Sequence, residues 1–122
     1  MILVDTPVWV DHLRSGDKQL AGLLDAGQVL AHPFVIGELA LGNLQQRDLV
    51  LDALRDLPQA TVAADQEILH FIDRHRLFGL GIGYVDAHLL AAARLMAGTS
   101  LWTRDKRLHD AAARLGMAAA FP

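Results

Sequence analysis

The sequence predicts an α/β fold, a parallel sheet with helices on both faces. Three observations carry that expectation. Ile2-Leu3-Val4 is an uninterrupted apolar run, which suits a strand buried on both faces rather than an alternating surface strand. Short apolar runs return at Val29-Leu30-Ala31 and Ser100-Leu101-Trp102-Thr103, with amphipathic helical stretches between them. Asp5 and Asp105 each stand where a strand gives way to a helix, the edge at which open α/β sheets bind their ligands.

After the first run, Thr6 is a good helix N-cap and Pro7 fits a first helical turn, so Asp5 is expected to be free for another task. Trp9 and Leu13 share one face of that helix, which breaks at Ser15-Gly16-Asp17. A second helix spans 18–26, with Leu20, Leu23 and Leu24 as its stripe and Gly27 closing it. Pro33 opens a helix reaching Gly42, in which Glu38 shares a face with Phe34, Val35 and Leu41. A glutamate on an apolar stripe is costly unless it is paired, hydrogen-bonded or bound to a cation. A mixed helix over 47–57 ends at Pro58, and Ala60-Thr61-Val62-Ala63 is a short strand candidate. Asp65 caps a helix running to about Arg76, with Ile68, Leu69 and Ile72 on its core side.

The glycine-rich 77–83 segment has neither P-loop nor GxGxxG spacing and reads as a lead-in to the next helix. That helix, 84–97, is rich in Ala and Leu, and Asp86 in its first turn shares a face with Leu89, Leu90 and Ala93. Complementing the helix dipole explains an acid in the first turn but not its place on the apolar stripe. After Asp105, residues Leu108, Ala111, Ala112 and Leu115 mark a last helix, closed by Gly116, and 117–121 supplies a candidate edge strand.

With 122 residues, 52% of them apolar and 20% charged, the chain reads as one globular domain. It has no apolar run long enough for a bilayer and no basic leader before its first strand, so cytoplasm is the expected location. The absence of cysteine excludes disulfides and thiolate metal sites. A net charge of −3 argues against holding nucleic acid by a bulk positive field, though not against a nuclease whose acids bind metal. The six histidines, His12, His32, His70, His75, His88 and His109, are dispersed and read as structural or surface residues.

Four carboxylates remain: Asp5, Glu38, Asp86 and Asp105. Each alone has an ordinary reading as a cap, a turn or a helix-edge acid. Converging on one crevice, they would repel one another without a cation between them. All-oxygen ligation selects a hard cation such as Mg²⁺ or Mn²⁺, and the matching chemistry is metal-assisted attack of water on a phosphodiester. Arg104, Lys106 and Arg107 flank Asp105 and are candidates to meet the phosphates of such a substrate, or simply a solvated helix start.

In order and with family-like spacing, Leu3-Val4-Asp5-Thr6-Pro7-Val8-Trp9-Val10-Asp11, Val35-Ile36-Gly37-Glu38-Leu39, the run Gly83 to Ala93 and Leu101-Trp102-Thr103-Arg104-Asp105 resemble the PIN domain. Within it they resemble the VapC-type ribonuclease toxins of toxin–antitoxin pairs. The resemblance implies a single PIN domain over 1–122, a Rossmann-like three-layer sandwich whose central parallel sheet has about five strands flanked by helices, and a Mg²⁺- or Mn²⁺-dependent endoribonuclease. It maps the acidic quartet onto Asp5, Glu38, Asp86 and Asp105, a family hydroxyl position onto Thr103, and a supporting hydroxyl onto Thr6. Pro7 stands where many relatives carry Ser. A cognate VapB-type antitoxin, an RNA substrate and a homodimer joined through helices in the 18–57 region are the implied partners, with no membrane. The alternative is a catalytically silent PIN fold that binds RNA or protein. An aspartate-nucleophile phosphatase would want a second Asp where Pro7 stands, and a phospho-receiver would need an acidic pair at the first strand end.

Overall fold

The computed structural model describes residues 1–121. A three-stranded parallel sheet forms the centre, β1 (Ile2–Val4), β2 (Val29–Leu30) and β3 (Ser100–Trp102), in the order β2-β1-β3. Helices α1 (Thr6–Ser15) and α2 (Lys18–Asp25) connect β1 to β2. Helices α3 (Pro33–Ala40), α4 (Arg47–Asp56), α5 (Asp65–His75) and α6 (Tyr84–Leu95) lie between β2 and β3, and α7 (Lys106–Arg114) follows. Parallel neighbours need such crossovers, and the helices they supply cover the sheet. Helices α1, α3 and α4 pack in succession, while α5 packs on α6, which rests against β3 beside α7.

The first apolar run is the central strand, as expected from its lack of alternation: Leu3 and Val4 are fully buried. They meet Val8, Leu20, Leu30, Leu39, Leu89, Leu90, Leu101 and Leu108 in one core. Helix α6 is buried at every position from Ala87 to Ala93. Its alanines let α5 approach closely, and Ala63, Ile68, Ala87 and Ala91 form a small second cluster there.

The sheet has fewer strands than the sequence implies. Both missing strands survive as single parallel bridges, Ala31↔Gln59 on one edge and Leu101↔Ala118 on the other. On the first edge, Ala63 is drawn into the α5–α6 cluster, which takes the chain off the sheet after one pairing. On the second, Ala118, Ala119 and Ala120 are poor strand formers and offer little to pack across an edge. Helix ends also shift by a residue or two: α3 stops at Ala40 and α6 at Leu95. Asp65 is not the cap of α5 but its first residue; Ala64 takes the cap position, and the Glu67 carboxylate accepts its N–H at 2.9 Å.

His32 caps α3 in place of an acid or hydroxyl, its Nδ1 accepting the Phe34 N–H at 3.0 Å. It is fully buried, edge-on to Phe34 and 6.4 Å from the His88 ring. Burial, reinforced by His88, pushes its pKa down to about 4. The folded chain therefore refuses a proton that the unfolded chain accepts near pH 6.5. Stability from this group is complete above that value and falls by about 3 kcal/mol as pH drops toward 4. His88 is also depressed by burial, against a smaller opposing pull from Asp65, and acts in the same sense. His32→Asn retains a capping acceptor and removes the imidazole, so urea unfolding should show a smaller loss of stability between pH 6.5 and 4.5 than in wild type. An equal loss in both proteins would show that His32 is not the source.

Candidate active site

The register of β1 against β3 builds the floor of the site. Ile2, Leu3 and Val4 pair with Ser100, Leu101 and Trp102, and the Asp5 N–H continues the ladder to the Trp102 carbonyl at 2.9 Å. The next residue on each strand is then Asp5 and Thr103, side by side. The Thr103 hydroxyl donates to Asp5 Oδ2 at 2.7 Å and accepts the Asp105 N–H at 3.1 Å. Both residues are buried, with Asp5 5% and Thr103 7% exposed.

Asp5 is also the cap of α1, its Oδ1 accepting the Thr6 N–H at 2.8 Å. The expectation that Thr6 would cap and leave Asp5 free is therefore reversed. Thr6 is already the first helical residue, and its hydroxyl donates to Glu38 Oε1 at 2.7 Å. A carboxylate has two oxygens, so Asp5 caps with one and meets Thr103 with the other.

The other acids surround this floor at different depths. Asp86 is half-buried in the first turn of α6, its Oδ2 accepting the Gly83 N–H at 2.9 Å. Asp105 is exposed and caps α7 through Oδ1, which accepts the Leu108 N–H at 2.9 Å. Glu38 is exposed, which corrects its assignment to an inward face. Helix α3 turns Val35, Ile36 and Leu39 to the core, and Glu38 lies about 100° round from the middle of that stripe. Leu41, expected to share the buried face, is 90% exposed.

The four acids nonetheless share one field. Burial raises the Asp5 carboxyl above the ordinary range; the Thr103 and Thr6 hydrogen bonds oppose this, and the charges of Asp86 and Glu38 add to it. Asp86 is likewise raised, first by burial and then by Asp105 and Glu38, against the Gly83 hydrogen bond. Acids raised in this way favour the folded state below about pH 4, and that advantage is lost as pH rises through their folded pKa values. Burial and like charge thus both oppose ionisation of Asp5 and Asp86.

Among the described residues, no three carboxylate or imidazole side chains stand close enough together to enclose a metal ion. That geometry does not fit an all-protein cage. It does fit a Mg²⁺-type site, in which one or two carboxylates bind directly and waters complete the shell. One oxygen each of Asp86, Asp105 and Glu38 accepts no hydrogen bond among the described residues.

The three cations expected to meet phosphate divide sharply. Arg104 pairs with Asp11 and, at 2.6 Å, with Asp17, while its guanidinium lies 5.6 Å from the Trp102 ring centre. It braces the β3–α7 turn against the start of α2, where Asp17 is also the N-cap. This brace was missed in the sequence because Asp17 reads simply as a helix break; only the crossing of β3 beside β1 brings Arg104 to it. Lys106 pairs with Asp110 one turn along α7, at 2.9 Å. Arg107 has no carboxylate partner among the described residues.

A family model described as PIN domain matches residues 2–114. The chain is 52% identical over 120 residues to Ribonuclease VapC32 of Mycobacterium tuberculosis, in strains CDC 1551 / Oshkosh and ATCC 25618 / H37Rv, across 98% of this chain and 97% of the relative. Its fold also matches the crystal structure of FitAcB from Neisseria gonorrhoeae, with a TM-score of 0.62 and 21% identity, over 93% of this chain and 94% of that one.

Thr103→Val tests the floor directly. It removes the donor to Asp5 and the acceptor for the Asp105 N–H, and should cost about 1–3 kcal/mol at pH 7. The cost should shrink on acidification, because protonating Asp5 removes the charge that the hydroxyl stabilises. Urea melts at pH 7 and pH 3.5 measure both values, and a pH-independent cost would contradict the assignment.

Proposed function

The chain belongs to the PIN domain family, and from that premise we propose that it is a divalent-metal-dependent endoribonuclease, the toxin of a VapBC-type toxin–antitoxin pair. The observation that carries this reading is the burial of Asp5 beside other carboxylates at the C-terminal ends of the strands. Capping α1 accounts for one Asp5 oxygen but not for burying the carboxylate beside like charges, which is unfavourable. A hard cation would offset it. Asp5 and Asp86 are the principal ligands in this reading, with Glu38 and Asp105 completing the outer shell.

Mg²⁺ or Mn²⁺ bound there would supply water activation and neutralise charge on the phosphodiester. The chain's own residues fix the geometry. Thr103 holds the Asp5 carboxylate by one oxygen, and the α1 N-terminus holds it by the other. The Thr6 hydroxyl ties Glu38 to the same helix end. Attack of water at phosphorus breaks the P–O3′ bond, leaving a 3′-hydroxyl and a 5′-phosphate. The chain carries all four acids of the quartet, which favours this reading over a silent binding module.

A cleft of about 670 Å³ runs beside Glu38 between α1, α3 and the loop into α4, lined in part by Val10, Leu13, Leu39, Leu44 and Val50. Its apolar walls and acidic edge suit an antitoxin segment carrying a basic side chain. Exposed Leu41 and Leu49 favour a homodimer through the same region. No helix among the described residues is long and apolar enough to cross a membrane.

Asp5→Asn and Asp86→Asn each keep a backbone acceptor while removing a charge. RNA cleavage should collapse in both. Wild type should gain about 2.7 kcal/mol from Mg²⁺ at a hundred times its dissociation constant, and the variants much less. Thermal melts with and without Mg²⁺, beside a cleavage assay, test this; unchanged cleavage and Mg²⁺ response in both variants would falsify the metal-site reading. Co-expression with the product of an adjacent small gene should relieve growth arrest and yield a stable complex. A concentration-independent monomer mass by light scattering would refute the homodimer.

A further inference from the structure

The connection between α5 and α6, Arg76-Leu77-Phe78-Gly79-Leu80-Gly81-Ile82-Gly83, contains no acid although the whole chain is net negative. Leu77 is buried and pins the segment to the core, but Phe78 is 63% exposed. Tyr84, the first residue of α6, packs edge-on against His88 at 4.8 Å and is still 52% exposed. Two half-open aromatic rings thus stand on a segment that ends two residues before Asp86.

Cations gather along the same segment. Exposed Arg76 closes α5, and Arg114 Nη2 donates to the carbonyls of His75 at 2.6 Å and Arg76 at 3.4 Å, bringing a second guanidinium to that corner. Farther along, the Arg107 side chain fills the space that a Cβ would occupy at Gly81, whose φ of +76° suits glycine. None of these three arginines has a carboxylate partner among the described residues. Capping a helix C-terminus accounts for Arg76 and Arg114. It does not account for Arg107, which lies in the first turn of α7, where the helix dipole disfavours a cation.

We infer that the α5–α6 connection, with Arg107 and Arg114 beside it, is a track that leads single-stranded RNA into the acidic pocket. Unpaired bases stack on Phe78 and Tyr84 while phosphates meet Arg76, Arg107 and Arg114. A polyanion approaching four carboxylates needs such compensation, and stacking requires bases free of a complementary strand. The track rests on the ribonuclease reading and names the side chains that seat its substrate.

Binding of a short labelled RNA, alone or annealed to its complement, tests it in the Asp86→Asn background, which keeps the RNA intact. The single strand should bind more tightly than the duplex. Arg76→Gln and Arg107→Gln should each weaken binding and lower the salt slope by about 0.7. Gln is tolerated at the left-handed position of Arg76, since Gln46 adopts φ 50° in this same chain. Phe78→Ala should weaken binding by about five- to a hundredfold. Lys106→Gln, which removes a cation already paired with Asp110, should leave affinity unchanged. Equal affinity for both RNA forms, or salt slopes unaltered by the two arginine variants, would overturn the track. The same substitutions in the otherwise wild-type chain are then assayed for cleavage. Wild-type cleavage with unaltered cleavage in Arg76→Gln and Phe78→Ala sinks the track alone. Absent cleavage by wild type, with binding that follows these residues, sinks the ribonuclease reading and keeps the track.

Discussion

One hydrogen bond organises this molecule, that from the Thr103 hydroxyl to the buried Asp5 carboxylate. It exists only because β1 and β3 run parallel with Val4 opposite Trp102, so that the next residues emerge together. The same hydroxyl receives the Asp105 N–H and so fixes where α7 begins. The same carboxylate starts α1, and Thr6 at that start fixes Glu38. Three of the four acids are therefore held by one short chain of contacts, and Asp86 enters separately from the start of α6. The energetic cost of this arrangement, a buried charge beside like charges, is met by core residues such as Leu3, Val4, Leu89 and Leu101, none of which has any exposed surface.

Much of this was legible before the fold was known, because it rests on local rules. An apolar triplet followed by an acid and a Thr-Pro pair is enough to read strand, turn and helix. Asp86 stood out because the Ala- and Leu-rich segment around it is such a strong helix former. What failed did so for tertiary reasons. Which of Asp5 and Thr6 caps α1 depends on where the strand pairing ends, and the Asp5 N–H still belongs to the ladder. The placement of Glu38 depended on which side of α3 meets the sheet, and Phe34 and Leu41 misled by being apolar without being buried. Edge strands of one bridge each cannot be told by pattern from longer ones.

The arginines show the same division between local and distant information. Arg104, Lys106 and Arg107 lie within four residues and look interchangeable in the sequence. Folding gives each a different task, because helical geometry turns Lys106 to Asp110, chain crossing brings Arg104 to Asp11 and Asp17, and Gly81 leaves room for Arg107. Charge count near a site says little until the partners of each cation are known. In this chain the bracing Arg104 and Arg107, which has no carboxylate partner among the described residues, stand three residues apart.

The partners in the Asp5–Thr103 contact are separated by 98 residues. During synthesis at about 5–20 residues per second, the ribosome spends roughly 5–20 s between making the first and the second. Throughout that interval β1 has no β3 to pair with, and Asp5 lacks the hydroxyl that makes its burial tolerable. A nascent chain therefore carries most of its helices before it has a pocket. The acidic centre depends on a contact of high sequence separation, the kind that is slow to form. Formation of the Asp5–Thr103 contact thus waits on the synthesis of β3.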